Sequence, residues 1–218
     1  INPGASGHAS FSITPLGGSL SGGTIHLSAN AKGTSFSETN TQEAIQSSSE
    51  RDIKIETNVG LSARAVYSLG PFKNTGIIPP SAETATTYTI TWTLTNSSNT
   101  IRGGKVTSSL PSYVRWLGAV SPSSELISYN PVGGELIWNV GDVPAGSGST
   151  LPPREVSFQI SFTPSVSQIG QAPVILGKSV FSGEDQFTRT SVTSGSGEQT
   201  TRISSDPIFK TGDENVTK

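Results

Sequence analysis

Few side chains in this sequence are equipped for chemistry, and their placement narrows the choices further. Cysteine is absent, which removes thiolate nucleophiles and Cys-ligated metals. The two histidines are His8 and His26. Beyond residue 26 a Ser-His-Asp triad or a His-ligated zinc site therefore has no imidazole to build on. His26 falls between Ile25 and Leu27, on the opposite side of an alternating run, and reads as solvent-facing. Carboxylates are plentiful, but paired acids for glycoside hydrolysis must converge from separate strands, which spacing along the chain does not show. Glu184-Asp185 and Asp213-Glu214 sit in loop-like settings and could lend oxygens to Ca²⁺. Calcium takes roughly six to eight such ligands, however, and no Asp-x-Asp-x-Asp loop is present. Lys105 with Asn139, and Lys178 with Asp185, are the pairs that could form a lysine isopeptide cross-link. The competing reading makes these lysines solvated edge charges that discourage sheet-to-sheet pairing. Asn96-Ser97-Ser98 and Asn215-Val216-Thr217 match the glycosylation pattern, a short motif that a Ser/Thr-rich chain produces by chance. These residues predict no enzyme, no cofactor and no metal.

Composition points the same way. Charged residues make up 14% of the 218 residues, against about 25% in an ordinary globular domain. The net charge is −2, and the 14 Lys and Arg residues are scattered singly, so no basic face is offered to nucleic acid. No apolar run approaches the roughly 18 residues of a membrane span, and no signal peptide is visible. Methionine is absent altogether, which reads as a processed or excised segment. A low-charge, Ser/Thr/Gly-rich chain of this kind suits an extracellular all-β protein.

Strands must position whatever these residues do. Tyr88, Ile90, Trp92 and Leu94 alternate with Thr89, Thr91, Thr93 and Thr95, which predicts a strand with one buried face and one wet face. Val156, Phe158, Ile160 and Phe162 repeat the pattern. Weaker alternation marks 61–67, 106–110, 114–120, 136–140 and 180–192, and earlier 11–13, 25–27, 36–39 and 53–55. Residues 42–49 are predicted as a loop. Turn formers punctuate the runs at Asn96–Asn99, Gly103-Gly104, Asn130-Pro131, Gly133-Gly134, Gly141-Asp142 and 144–146, so the fold is predicted to be an all-β antiparallel β-sandwich. Gly70-Pro71 and Pro79-Pro80 predict a stiff connection. Trp92, Trp116 and Trp138 are predicted in or near the core.

The chain also repeats itself. Phe11-Ser12-Ile13-Thr14-Pro15 returns as Ile160-Ser161-Phe162-Thr163-Pro164, Phe36 as Phe187, and Lys54-Ile55 as Arg202-Ile203. The offsets are 149, 151 and 148 residues, a period suited to a domain. Residues 1–58 then read as the C-terminal half of one sandwich repeat, 59–206 as a complete one, and 207–218 as a polar linker or tail. A half sandwich leaves an apolar face uncovered. Phe11, Ile13, Ile25, Leu27, Phe36, Ile53 and Ile55 are its candidate lining, as a groove for strand complementation. A cut fragment, or cover by the neighbouring repeat, would answer the same problem.

Tyr88–Asn96, Leu110-Pro111, Val114-Arg115-Trp116, 134–141, 144–146 and Val156-Ser157-Phe158 occur in the order that resembles the conserved-repeat, immunoglobulin-like domains of prokaryotic cell-surface proteins. The likeness is best over 80–165 and looser to 206. It implies immunoglobulin-like sandwich repeats in tandem, one incomplete and one complete here, and brings no catalytic residues. The expected function is a structural module of an exported multi-repeat surface protein: a stalk, spacer, fibre or surface-layer component. Its partners would be neighbouring repeats or identical subunits, and its place extracellular, secreted or on the cell surface. The alternative is an adhesion module that binds surface glycans or host-cell proteins through sandwich-end loops, with Tyr113 and Tyr129 as candidate contact aromatics.

Overall fold

The computed structural model describes residues 5–8, 10–12, 23–36 and 41–218. The chain divides into two units, Ile1–Ile55 and Glu56–Lys218, and each is considered by itself.

In the first unit, β1 (Thr24–Phe36) and β2 (Gln42–Lys54) form an antiparallel hairpin. Its register runs unbroken from Thr24 opposite Lys54 to Phe36 opposite Gln42. Successive strand residues alternate faces. Ile25, Leu27, Ala29, Ala31 and Gly33 therefore share one face with Ile53, Arg51, Ser49, Ser47 and Ile45. His26, Ser28, Asn30 and Lys32 share the other with Asp52, Glu50, Ser48 and Gln46. His26 is exposed, as its position predicts, and pairs with Asp52 at 2.5 Å. Two long strands thus replace the short ones expected here. Residues 42–49, predicted as a loop, open β2. Their polarity on both faces hides the alternation, while the ladder with β1 satisfies their backbone. Phe11 lies outside any strand and is 76% exposed. Ile13 falls outside the described residues.

The second unit is a sandwich of eleven strands: β3 (Val59–Val66), β4 (Thr86–Asn96), β5 (Ile101–Ser109), β6 (Val114–Ser121), β7 (Leu126–Asn130), β8 (Glu135–Val143), β9 (Arg154–Phe162), β10 (Val174–Leu176), β11 (Ser179–Asp185), β12 (Ser191–Ser196) and β13 (Gln199–Thr200). One sheet has the order β3-β4-β9-β6 and the other β12-β11-β5-β8-β7, with β10-β13 as a small third. Every pairing in these sheets is antiparallel. The only helical turn among the described residues is Val166–Gln168.

The core follows the alternation. Tyr88, Ile90, Trp92 and Leu94 of β4 are fully buried, as are Val156, Phe158, Ile160 and Phe162 of β9. Trp92 stacks on Trp138 across the sandwich, with ring centroids 6.3 Å apart and planes 15° apart. Phe158 meets Trp92 edge-on at 4.8 Å. Each such side chain stabilises the fold by roughly 1.5–3 kcal/mol through burial alone.

Three expectations need correction. The Thr face of β4 is not wet at its middle: Thr89 and Thr91 are buried. The connection 67–80 folds back over it, with Asn74 Nδ2 donating to Thr89 Oγ1 at 2.9 Å and Gln159 Nε2 donating to Asn74 Oδ1 at 2.9 Å. Second, Gly103-Gly104 and Gly141 are not between strands but inside β5 and β8, where the pairing register shifts. A Cβ on Gly104 would stand 2.9 Å from the Gly141 carbonyl oxygen and 3.0 Å from the Phe181 ring, so this bulge needs glycine for close approach. Third, 207–218 is no free linker. Val216 is buried, its N–H donates to the Gln171 carbonyl at 2.9 Å, and Thr217 N–H donates to the Pro80 carbonyl at 2.8 Å. The Val216 and Phe209 side chains and satisfied backbone groups hold the segment down.

Trp138 is both a core ring and a hydrogen-bond donor, its Nε1 lying 2.7 Å from Glu125 Oε2. Trp138→Ala is expected to destabilise the second unit by about 3–5 kcal/mol. Urea unfolding monitored by circular dichroism reads this as a lower midpoint at an unchanged slope.

Candidate functional site

The outer edge of β3 is where side chains converge. β3 pairs with β4 on one side only, so alternate N–H groups face away from its partner and would be orphaned on burial. Side chains catch them in sequence. Thr57 N–H donates to Asp185 Oδ2 at 2.8 Å, Leu61 N–H to Ser194 Oγ at 3.1 Å, Ala63 N–H to Ser196 Oγ at 2.9 Å, and Tyr67 N–H to Asp206 Oδ2 at 2.7 Å. The two serines stand two residues apart on β12, the strand period, and so match every second N–H of β3. The two aspartates clamp its ends. Ser68 adds its own N–H at 2.7 Å and its hydroxyl to Asp206.

Asp185 and Asp206 are buried carboxylates held by N–H and O–H dipoles. Burial pushes the Asp185 carboxyl up, but hydrogen bonds from Asn99 and from the Thr57, Thr188 and Phe187 N–H groups outweigh it, leaving it below the ordinary range. Asp206 behaves alike: burial raises it, while the Ser68 hydroxyl and the Ser68, Ile208 and Tyr67 N–H groups lower it further. The Asp185 oxygens are therefore committed to donors, and Glu184 pairs with Arg189 at 3.6 Å. Among the described residues no three His, Asp or Glu side chains gather as a metal site would require. Lys105 and Asn139 are register partners on exposed positions. Lys178 is exposed, whereas the Asp185 carboxylate is buried.

The opposite side of the sandwich is closed by aromatic contact. β6 and β7 are the edge strands of the two sheets, and Trp116 of β6 stacks on Tyr129 of β7 at 6.1 Å. Glu125 reinforces the closure, taking Trp138 Nε1 from one sheet and Arg154 at 2.9 Å from the other. Tyr113 is half-buried, edge-on to Phe162 at 5.8 Å. Tyr129 lines an open hollow of about 290 Å³ with Leu110, Pro111 and Pro131, and Tyr113 does not.

In the first unit the structure gathers part of the predicted groove. Ile25 and Leu27 are half-buried and Ile53 is 43% exposed, all on one hairpin face. Ile55 follows β2, half-buried, with its N–H on the Gly23 carbonyl at 2.9 Å. Phe36 ends β1 opposite Gln42, and Phe11 is not on the hairpin. Sequence reading missed Ile45, 56% exposed on the same face. With Ala31, Gly33 and Ser47 it lines an open hollow of about 420 Å³. The alternating Ala29-x-Ala31-x-Gly33 and Ser47-x-Ser49 were the available signal: small residues at every second position of one face.

No protein-family model and no curated protein sequence matches the chain. Among solved structures it is similar to BcpA, the major pilin subunit of Bacillus cereus, at 8% identity and a TM-score of 0.40, covering 83% of this chain and 64% of that one. It is similar to the major pilin SpaD of Corynebacterium diphtheriae at 11% identity and a TM-score of 0.37, over 64% and 34% of the chains. The C-terminal domain of the Streptococcus agalactiae AgI/II polypeptide BspA matches at 11% identity and a TM-score of 0.35, over 82% and 60%. In each case the match spans less than two thirds of the neighbour's length. Likenesses this remote carry no inference about function.

The depressed carboxyls fix a pH dependence. A group with a lowered folded pKa contributes stability above its unfolded value, near 3.9 for Asp, and loses it as pH falls through the folded value. Stability of the second unit is expected to hold from neutral pH to about pH 4 and to fall below it. Asp206→Asn should lower stability at neutral pH and flatten the acid decline, read by urea midpoints across pH. An unchanged acid slope would show that Asp206 carries none of it.

Proposed function

We propose that the chain is a non-enzymatic structural module of an exported, multi-repeat cell-surface protein, a stalk or fibre component that associates through strand complementation. Its resemblance to conserved-repeat surface domains motivates this reading, with residues 1–58 as an incomplete repeat beside a complete one. The observation that carries it is the likeness of two hairpins. Residue pairs Ala29/Ser49, Ala31/Ser47 and Gly33/Ile45 of the first unit stand in the same order and pairing as Ser179/Ser196, Phe181/Ser194 and Gly183/Val192 of the second. The second hairpin faces a core and an edge strand, and on this reading the first is the matching layer of a sandwich whose remaining strands come from elsewhere. Head-to-tail completion of this kind does not close on itself and extends into filaments.

Sedimentation velocity from micromolar to hundreds of micromolar, with negative-stain microscopy of the same samples, tests the reading. The expected result is species larger than one chain that grow with concentration into unbranched rods, and that Ile45→Lys suppresses. A chain that stays monomeric throughout would count against assembly.

A further inference from the structure

The hairpin face of the first unit has the parts of a strand receptor, and the second unit supplies the template for reading them. There, Ser194 and Ser196 on the core side of β12 accept the Leu61 and Ala63 N–H groups of β3, at 3.1 and 2.9 Å. Beside them Phe181, opposite Ser194, fills the core and is fully buried. In the first unit the Ser-x-Ser spacing recurs at Ser47 and Ser49, and both residues are exposed. Neither hydroxyl has a hydrogen-bond partner among the described residues. Opposite Ser47, where the second unit has Phe181, stands Ala31. A hollow of about 420 Å³ lies beside it, lined by Ala31, Gly33, Ile45 and Ser47 and by the intervening Lys32, Thr34 and Gln46.

We propose that this face binds an extended polypeptide strand of the Val59–Val66 pattern. Two N–H groups of that strand, two residues apart, donate to Ser47 Oγ and Ser49 Oγ, and its aliphatic side chains enter the hollow against Ile45. The partner is chosen by its backbone as much as by its side chains. An extended strand presents N–H groups at the repeat that the two hydroxyls share, which a helix or a sugar does not. Aliphatic residues at alternate positions, as Val59, Leu61, Ala63 and Ala65 are in β3, fit the small, apolar floor laid down by Ala29, Ala31 and Gly33. The inference rests on the assembly reading and names what fills the incomplete layer. The two fail separately: a monomeric chain that still binds the strand sinks the assembly reading alone.

A fluorescein-labelled peptide of residues 57–68, titrated with the full chain and followed by anisotropy, tests the proposal. Saturable binding is expected. Ser47→Ala with Ser49→Ala should weaken it about tenfold, the loss expected for two neutral hydrogen bonds. A peptide N-methylated at the residues equivalent to Leu61 and Ala63 should weaken it equally, and the two losses should not add. Circular dichroism of the serine variants confirms that the sheet is retained, and Ile45→Lys gives an independent block of the hollow. Absence of saturable binding overturns the proposal. So does binding that is insensitive to Ser47 and Ser49 but lost with Ser194→Ala and Ser196→Ala, which would mean exchange into the complete sandwich. A chain that sediments as a dimer undisturbed by excess peptide would show that a second copy's hairpin covers the face, and would also overturn it.

Discussion

The outer edge of β3 sets the terms for the second unit. A strand paired on one side carries a row of N–H groups on the other, and burying them unpaired costs roughly 1–3 kcal/mol each. Another strand would satisfy them, but would also extend the sheet and leave a new edge. Here the row ends on side chains: Asp185, Ser194, Ser196 and Asp206. These four residues lie far along the chain from β3, so closing the edge also ties the beginning of the unit to its end. The two aspartates make the tie charge-assisted, and bonds to charged groups are worth about twice neutral ones. With Trp116 on Tyr129 at the far side, both flanks of the sandwich are shut by side chains.

That closure explains features that look idle in isolation. Ser194 and Ser196 are half-buried on a strand of little apolar content, and a serine in such a place reads as a solvated position until β3 is laid beside it. Asp185 and Asp206 resemble loop acids, yet each is the anchor for an end of one strand. Their burial without a cation is tolerable because four donors surround each carboxylate.

What the sequence made legible was the part governed by alternation. The inward faces of β4 and β9 were readable residue by residue, because burying one face of a strand imposes a period of two, although Ser157 and Ser161 on the outer face of β9 are buried as well. The two inward tryptophans followed from the same rule. Positions set by non-local partners were not readable. Thr89 and Thr91 look solvated, but Asn74 from the fold-back of 67–80 covers Thr89 and the Thr91 hydroxyl pairs with Ser157. Gly104 looks like a turn, because the close approach of Phe181 that requires glycine comes from a distant strand, and Gly103 and Gly141 look like turns because their positive φ serves a bulge inside the sheet. Residues 42–49 carry no hydrophobic alternation, so their pairing with β1 left no local trace. Ile208, Phe209 and Val216 are scattered apolar residues in a polar tail, without the alternation that would announce a docked segment. The hairpin face was half visible: Ile25, Leu27 and Ile53 stood out as apolar, whereas Ala31, Gly33, Ser47 and Ser49 are notable for their smallness and spacing, which hydropathy does not register.

The two hairpins differ most in where the mass of their core resides. In the second unit Phe181 brings an aromatic ring to the centre of the sandwich, and the hairpin contributes its own filler. In the first, Ala31 occupies the corresponding pairing position and the filler is missing. A two-stranded hairpin with a floor of alanine, glycine and serine buries little apolar surface, and such a hairpin is marginally stable in water at best. If the proposed strand docks there, it would supply volume that the hairpin lacks, and docking and ordering of this layer would be one equilibrium. An N–H to hydroxyl contact that sets the register of the incoming strand would then also help to keep the hairpin formed, so the same two serines would govern both affinity and order.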